Sequence, residues 1–315
     1  MSCHRIAVIG LGAISLRAHL PVIAGHPGFE IVASADPHPL ATSIAGKQYS
    51  DYREMLAAEP TIEAVAICTP PDVRCRIALD AIAAGKHVLL EKPPCSTLGE
   101  FRLVRRASEH AGVTLMVSWH SRFGLAVERA REILADQQVA RLEMIWKEDA
   151  AAIHADKGWM WKKGGFGVLD FGINGISILT RILPMPLVVR AATLWTPDRA
   201  QTPVAAEIDF AGLREADRLH AEIDWRSTTE IRTIEIVTRT GRRLWMPITG
   251  HRLEVDGIVL ADEGNLEYQR LYDRFAELIA RGESELDDSP LVAVADVCLI
   301  GRTLSADVGR IRAAG

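Results

Sequence analysis

The first 122 residues alternate short apolar runs with amphipathic stretches of helical length, and this alternation limits the possible folds. The apolar runs are continuous and rich in Val, Ile, Leu and Ala, which is typical of strands buried on both faces of a parallel sheet. Helices between such strands cover the two faces. The runs are IAVIG, EIVASAD, AVAICTPP, HVLLEKPP and TLMVSWH, and the predicted helices cover 16–24, 51–58, 73–84 and 98–111. The pattern predicts an N-terminal Rossmann domain, a doubly wound parallel sheet, over residues 1–122.

Residues 123–315 follow a different pattern, with strands set close together after one helix at 124–135. Turn signals such as the RTG at 239–241 separate several of these strands. The predicted strands are RLEMIWKED, VVRAATLWT, VAAEIDFAG, RLHAEIDWR, IRTIEIVTR and RRLWMPITG, and further helices are predicted over 167–183, 267–280 and 290–306. We therefore expect an α+β substrate and oligomerisation domain on a large open, mainly antiparallel sheet, with the last helix packing back on the first domain.

Composition excludes several classes of protein. A formal net charge of -5 leaves no broad basic surface for nucleic acid. The five cysteines are odd in number and show no CxxC spacing, which argues against a disulfide framework and against a metal site. No apolar run approaches the ~18 residues of a membrane span, and a strand pattern begins too early for a signal peptide. We expect a cytoplasmic protein with a small-molecule partner and neither a nucleic-acid nor a membrane partner.

The turn after the first strand reads Gly10-Leu11-Gly12-Ala13-Ile14-Ser15. In a dinucleotide-binding turn the first glycine permits the bend, the second lets the backbone approach a pyrophosphate, and the third position takes a small residue. Ser15 is small, although the strict fingerprint has glycine there. By itself the motif is equally compatible with an ordinary glycine-rich turn.

Asp36 ends the second strand, where a dinucleotide would need an acceptor for its ribose 2'-hydroxyl. A carboxylate at this position repels a 2'-phosphate, so NAD is favoured over NADP. His38 leaves some use of NADP possible. The alternative is an Asp that only forms the turn before Pro37.

The carboxyl ends of the later strands carry polar residues that should meet at one edge of the sheet. Lys92 follows an apolar strand and precedes two prolines, and a partly desolvated lysine can exchange a proton near neutral pH. The alternative for Lys92 is a solvated loop lysine. His120, which follows Trp119 at the next strand end, is a second candidate site residue, and its alternative is a histidine that is simply packed.

The predicted helix over 167–183 carries Asp170 and Asn174, which lie four residues apart on one face. Gly172 and Gly175 permit close approach by other backbone or by a ligand. The spacing is equally compatible with an exposed pair near a helix start, where an acidic residue is favoured electrostatically.

With these motifs the chain resembles the Gfo/Idh/MocA family of oxidoreductases, which includes glucose-fructose oxidoreductase and inositol dehydrogenase, over nearly its whole length. The EKP at Glu91-Lys92-Pro93 is among the most specific marks of that family. Four other segments are similar to those of the L-arabinose/D-galactose 1-dehydrogenases, which oxidise an anomeric hydroxyl to an aldonolactone. They are WHSR at 119–122, WKED at 146–149, DFGIN at 170–174 and TRILP at 180–184.

The resemblance implies roles for individual residues. Lys92 and Asp170 would be the acid/base pair, Asn174 would bind the sugar near its reacting carbon, and His120 and Glu148 would lie at the sugar or the nicotinamide. Many relatives have His where this chain has Asn174, so proton transfer falls to Lys92 and Asp170. The implied dinucleotide-binding residues are Gly10, Gly12, Ala13, Ile14, Ser15, Asp36, Thr69, Pro70, Glu91, Lys92 and His120.

Two departures from the resembled subgroup concern the sugar, because Ile153 and Thr233 stand where relatives tend to carry Trp. The resemblance also implies a homodimer or homotetramer through the open sheet. Two other functions stay open: oxidation of a secondary hydroxyl on inositol or another cyclic polyol, and non-catalytic sensing of sugar or dinucleotide.

Overall fold

The structure is a computed structural model, and it describes residues 3–38, 46–150, 158–247 and 250–306. The chain forms two compact units, one of Met1–His120 with Glu267–Asp287 and one of Ser121–Leu266 with Asp288–Gly315. The first unit thus takes in a segment that the sequence analysis assigned to the second domain. The last helix belongs to the second unit.

The elements are numbered here in chain order within the described residues. The strands are β1 (His4–Ile9), β2 (Phe29–Ala35), β3 (Lys47–Tyr49), β4 (Ala64–Ile67), β5 (His87–Glu91), β6 (Leu115–Ser118), β7 (Val139–Asp149), β8 (Val189–Thr196), β9 (Ala205–Phe210), β10 (Arg218–Asp224), β11 (Arg226–Thr238), β12 (Arg243–Met246), β13 (Arg252–Val255), β14 (Ile258–Asp262) and β15 (Arg302–Ser305). The helices are α1 (Leu20–Gly25), α2 (Tyr52–Ala58), α3 (Pro71–Ala83), α4 (Leu98–Ala111), α5 (Leu125–Leu134), α6 (Val168–Ile182), α7 (Glu267–Arg281) and α8 (Ser289–Ile300). A π-helical turn, Ser15–His19, leads into α1.

The sheet of the first unit is parallel throughout, with the order β3-β2-β1-β4-β5-β6 among the residues described. The strands β4 and β6 are buried along their whole length, which explains their continuous apolar sequences. The strand order reverses beside β1, and open α/β sheets bind ligands in the crevice at this switch point. The predicted Rossmann domain is confirmed.

The sheet of the second unit has the order β14-β13-β12-β11-β7-β10-β9-β8-β15 within the described ranges. All neighbours are antiparallel except β7 with β10 and β8 with β15. From Leu142 to Glu148 of β7 every second residue is buried, including Met144 and Trp146, which contact the helix α6. The predicted large, mainly antiparallel sheet is confirmed.

The predicted helix over 290–306 is wrong at its C-terminal end. α8 stops at Ile300 because Gly301 turns to an extended conformation (φ −67°, ψ 133°), and a Cβ at Gly301 would lie 2.5 Å from the carbonyl oxygen of Val297. Residues after it form β15, which pairs in parallel with β8.

The hairpin of β13 and β14 was not predicted from the sequence. Its turn is Asp256-Gly257, with a φ of 52° and 84° respectively. An Asp-Gly pair between apolar residues is a strong hairpin signal, because both turn positions need positive φ. That signal was available in the sequence.

Candidate functional site

The glycine-rich turn after β1 places its two glycines in different surroundings. Gly10 has a φ of +92°, and a Cβ there would lie 2.8 Å from the backbone nitrogen of Thr69 at the end of β4. A Cβ at Gly12 would meet nothing within 4 Å. Gly10 is therefore needed for the turn, whereas Gly12 leaves open space where another molecule could approach the backbone.

The residues after Gly12 begin the first helical segment. Ala13 is exposed and Ile14 half-buried, while Ser15 is fully buried and its hydroxyl donates to the carbonyl oxygen of Gly12 at 2.7 Å. The small side chain at position 15 thus packs inside the turn. The backbone of Gly12 and Ala13 is the part of the turn that faces outward.

Asp36 lies beside this turn at the end of β2. Its Oδ2 accepts from the backbone nitrogen of Leu11 at 2.7 Å, and its Oδ1 accepts from that of His38 at 2.8 Å. Each carboxylate oxygen can accept a second hydrogen bond. Asp36 therefore keeps capacity to bind a ribose hydroxyl while it holds the turn.

Thr69 supplies an unpaired polar atom at the same edge. Its side-chain oxygen is buried and has no hydrogen-bond partner among the described residues. Buried hydroxyls are normally paired, so this atom needs an explanation. The open space at Gly12, the carboxylate of Asp36 and the hydroxyl of Thr69 together fit a nicotinamide dinucleotide, with Pro70 next in the chain.

Arg74 holds two of these strand ends together, and the sequence analysis did not identify it. Its guanidinium is buried in α3 and donates to the carbonyl oxygens of Thr69, Glu91 and Pro93. It lies on the same helix face as the buried Ile77 and Ala78. In the sequence, the signal for a buried Arg74 was a charged residue at a helix position where the pattern predicts an apolar one.

Glu91 is the centre of a buried polar network beneath Lys92. Only 3% of Glu91 is exposed, and four groups contact its two oxygens at 2.8–3.0 Å. They are the Nε2 atom of His19, the hydroxyls of Ser118 and Tyr268, and the backbone nitrogen of Lys92. Nδ1 of His19 in turn contacts the hydroxyl of Tyr272 at 2.7 Å.

The network fixes charge as well as geometry. Burial opposes ionisation of Glu91, but the hydrogen bond from His19 and the nearby positive charges hold the pKa of that carboxyl well below its usual range. Burial likewise opposes the charged form of His19, yet its anionic and polar neighbours raise its pKa well above the usual value. Glu91 and His19 therefore form a buried ion pair.

Lys92 is half-buried, and the Lys92–Pro93 peptide bond is cis. The backbone nitrogen of Lys92 donates to Oε2 of Glu91 at 3.0 Å. The carbonyl groups on either side of Lys92 accept from Arg74. The backbone that carries the predicted acid/base group is thus held by two buried charged side chains.

His120 follows β6 and contacts the start of α7. Its Nδ1 lies 2.7 Å from Oε2 of Glu267, and its ring stacks on that of Tyr268 with centroids 4.9 Å apart. Both partners come from the segment that the first unit takes in from the far end of the chain.

In the second unit, Asp170 and Asn174 lie on the face of α6 that points away from the sheet. A Cβ at Gly172 would lie 2.3 Å from Ile223, and one at Gly175 would lie 2.5 Å from Met144. These glycines therefore face the sheet, about 140–200° around the helix from Asp170, while Asn174 is only about 40° from it. Asp170 is 7% exposed and Asn174 half-buried.

Glu148 lies on the helix-covered face of β7. Its Oε1 accepts from the indole nitrogen of Trp225 at 2.9 Å, and its Oε2 lies 3.4 Å from Arg232. The guanidinium of Arg232 stacks over Phe171 of α6, 5.0 Å from the ring centroid. Trp225 and Arg232 were not identified from the sequence.

The two departures from the resembled subgroup have different outcomes. Thr233 is half-buried on β11 and pairs with Ile145 of β7. Ile153 lies outside the described residues. The positions of Glu148, Asp170 and Asn174 within the second unit are thus known, whereas their roles stay predictions.

Neither a metal-binding cluster nor a membrane-spanning helix is present among the described residues. No group of three or more His, Cys, Asp or Glu side chains there could hold a metal ion. Among the helices that the structure describes, none combines the length and apolarity required to cross a membrane.

Comparison with known proteins covers both units. Residues 4–119 match the model of the Gfo/Idh/MocA proteins, described as an oxidoreductase family with an NAD-binding Rossmann fold. A galactose 1-dehydrogenase of Pseudomonas fluorescens is 35% identical over 307 residues, which is 96% of this chain and 97% of that protein.

Solved structures are also similar to this chain. A D-galactose-1-dehydrogenase from Rhizobium etli superimposes with a TM-score of 0.90 at 39% identity, covering 97% of each chain. A 3-ketoreductase from Actinomadura kijaniata, solved with TDP-benzene and NADP, has a TM-score of 0.85 over 97% of this chain and 100% of its own. Its 18% identity shows the shared fold alone.

Proposed function

Because the chain belongs to the Gfo/Idh/MocA family and is a sugar dehydrogenase, we propose that it is an NAD(P)-dependent aldose 1-dehydrogenase. The substrate is an aldopyranose of the D-galactose or L-arabinose type, and the product is its aldonolactone. The observation that carries the proposal is the similarity to a galactose 1-dehydrogenase over 96% of the chain. That similarity includes the second unit as well as the dinucleotide-binding one.

The first unit binds the dinucleotide through the backbone of Gly12 and Ala13, the carboxylate of Asp36 and the hydroxyl of Thr69. When bound, the nicotinamide supplies the acceptor for a hydride. Asp36 favours NAD, because a carboxylate accepts from a ribose hydroxyl and repels a phosphate. NADP is the weaker cofactor in this proposal.

Lys92 is the proton acceptor. In its neutral form its amine takes the proton of the C1 hydroxyl, the C1–H bond gives up its hydride, and the C1–O bond becomes the lactone carbonyl. Lys92 and Asp170 act as a pair and share the proton that leaves the sugar. Asn174 binds the sugar near C1. Because Lys92 and Asp170 belong to different compact units, their coupling stays a prediction.

The decisive experiment follows the hydrogen that leaves the sugar. Purified protein is given L-arabinose, D-galactose, D-fucose, D-xylose and D-glucose with NAD and then with NADP, and reduced dinucleotide is measured by absorbance. The best aldose is then supplied with deuterium at C1 only, or at C3 only as the matched control. We expect deuterium in the reduced dinucleotide from the C1-labelled sugar alone, with a lactone that hydrolyses to an aldonic acid.

A stable ketone, or transfer of deuterium from C3, would contradict oxidation at C1 and support oxidation of a secondary hydroxyl. In that case cyclic polyols such as inositol become the substrates to test. If no aldose or polyol gives reduced dinucleotide, the result would favour non-catalytic sensing of sugar or dinucleotide instead.

We also propose that a second copy of the chain covers the open face of the second sheet. On β7 the residues opposite the helix-covered face are half-buried from Glu143 to Asp149, including Ile145 and Lys147, which pairs with Glu222 of β10. A second sheet packed face to face can cover such a surface. Light scattering should give the mass of a dimer or tetramer, and Ile145→Arg should lower it.

A further inference from the structure

The first turn of α7 contributes two neighbouring residues to the end of β6. Glu267 and Tyr268 are 147 and 148 residues beyond His120 in the chain, yet both contact its ring. Side-chain exposure is 4% for Glu267 and 15% for His120. The pair is thus largely removed from water.

The contact between His120 and Glu267 fixes one ring nitrogen. A carboxylate at 2.7 Å accepts the proton of Nδ1, and such charge-assisted hydrogen bonds are about twice as strong as neutral ones. The contact therefore favours the tautomer that carries its proton on Nδ1. Any exchange of a proton or hydrogen bond with a ligand goes through Nε2.

Tyr268 fixes the plane of the same ring. The two rings are 19° from parallel, so rotation of the imidazole would break the stack. The hydroxyl of Tyr268 donates to Oε1 of Glu91 at 2.9 Å, and the other oxygen of Glu91 holds the backbone of Lys92. Burial raises the pKa of Tyr268, so this hydroxyl keeps its proton near neutral pH.

We propose that Glu267 and Tyr268 are positioning residues of the dehydrogenase site: Glu267 keeps the proton on Nδ1 of His120, and Tyr268 holds the ring and the carboxylate beneath Lys92. Neither residue is a reacting group. The kinetic consequence of this inference rests on the proposed function. The protonation of Nδ1 does not.

A purely structural role is the alternative, because an acidic residue in the first turn of a helix is stabilising by itself. Two readouts separate the roles. The first is the proton resonance of Nδ1–H, which a strong hydrogen bond to carboxylate moves far downfield and protects from exchange. The second is the division of a kinetic effect between kcat and KM.

The first measurement uses nuclear magnetic resonance of the whole protein labelled at its ten histidines. We expect a downfield, slowly exchanging Nδ1–H resonance that disappears in His120→Gln and in Glu267→Ala. Its absence from the unaltered protein, or its persistence in Glu267→Ala, would overturn the proposal whether or not the protein oxidises sugars.

The second measurement is steady-state kinetics of Glu267→Gln, Glu267→Asp and Tyr268→Phe. We expect kcat to fall about tenfold or more in Glu267→Gln, with both KM values within about threefold, and Glu267→Asp to recover part of the loss. Tyr268→Phe keeps the stack but loses the bond to Glu91, and a fall of about three- to tenfold is expected. Glu277→Gln is the matched control, since Glu277 lies on the same helix with a side chain 53% exposed and should keep the parent kcat.

Unchanged kcat in a folded Glu267→Gln would overturn the kinetic part of the proposal. If the variants melt below the assay temperature, the resonance of the unaltered protein decides. If no aldose or polyol is oxidised, the proposed function fails, while the resonance still tests the positioning of His120.

Discussion

Glycines serve opposite purposes in the two units of this protein. In α6 of the second unit, Gly172 and Gly175 lie against Ile223 and Met144, so the missing side chains let a helix pack closely on a sheet. In the first unit Gly12 lies next to open space. The comparison shows that a glycine near predicted site residues reports close approach, and that only the neighbouring atoms tell whether the approach is by the protein itself or by a ligand.

Two buried carboxylates differ in a similar way. Glu91 in the first unit is held by groups from three separate parts of the chain and is paired with a buried His19. Glu148 in the second unit is held by an indole and by Arg232, whose side chain is 33% exposed and also contacts Glu230 at 2.8 Å. Loss of the charge on Glu91 leaves the buried cation of His19 without an anionic partner or water. Loss of the charge on Glu148 leaves Arg232 partly exposed and in contact with Glu230.

The largest expected effect tests this difference directly. Glu91→Gln should lower the free energy of unfolding by about 3–5 kcal/mol, because His19 loses the partner of its buried charge. Glu148→Gln should lower it by only about 1–2 kcal/mol. Urea unfolding at one pH measures both, and equal losses would show that the two environments are energetically alike.

The next largest effect concerns the group that the Glu91 network supports. Lys92→Ala should lower kcat by roughly 10² or more while the Kd for NAD stays nearly the same, because the proton acceptor is lost while the contacts proposed at Gly12, Asp36 and Thr69 remain. Stopped-flow turnover and NAD titration measure the two quantities. Intact turnover would rule out Lys92 as the acceptor, and exposed Lys162→Ala serves as the control for loss of a lysine.

A third prediction compares the glycines. Gly172→Ala should lower the free energy of unfolding by about 1–3 kcal/mol through overpacking against Ile223, with little change in the KM for NAD. Gly12→Ala should leave the melting temperature unchanged and raise that KM about tenfold. The opposite assignment of the two effects would mean that Gly12 is a packing residue.

The last and most gradual effect is a pH dependence. The folded pKa of Glu91 is lowered from 4.5, so its contribution is present above pH 4.5 and lost as the pH falls through the folded value. That of His19 is raised from 6.5, so its contribution is complete below pH 6.5 and is lost as the pH rises through the folded value.

The stability difference between the parent protein and His19→Gln should therefore be greatest between pH 4.5 and 6.5. Above that window it should shrink by about 1.4 kcal/mol per pH unit until the folded pKa is reached. Urea unfolding at a series of pH values measures it. A difference that does not change with pH would show that His19 has the same pKa in the folded and unfolded protein. A difference that grows as the pH rises through 6.5 would show that His19 is neutral in the folded protein.

Residues whose environment is set by their sequence neighbours could be predicted. The buried parallel strands follow from the local apolar pattern and spacing, and the predicted Rossmann fold is confirmed. The end of α8 was predicted wrongly because Gly301 was taken as part of the helix and not as the residue that ends it. Arg74 was missed because a lone charge in a helix pattern does not reveal which carbonyl groups it will reach.

The sequence by itself determined the Rossmann domain and the place of the lysine at the end of β5, because hydrophobic periodicity and turn chemistry act over a few residues. Only the tertiary structure decided what surrounds that lysine: Glu91 meets His19 and Tyr268, and His120 meets Glu267 across 147 residues. The physical reason is that a buried polar group must find its hydrogen-bond partners wherever folding brings them. Such pairings carry no signal in the sequence around either partner.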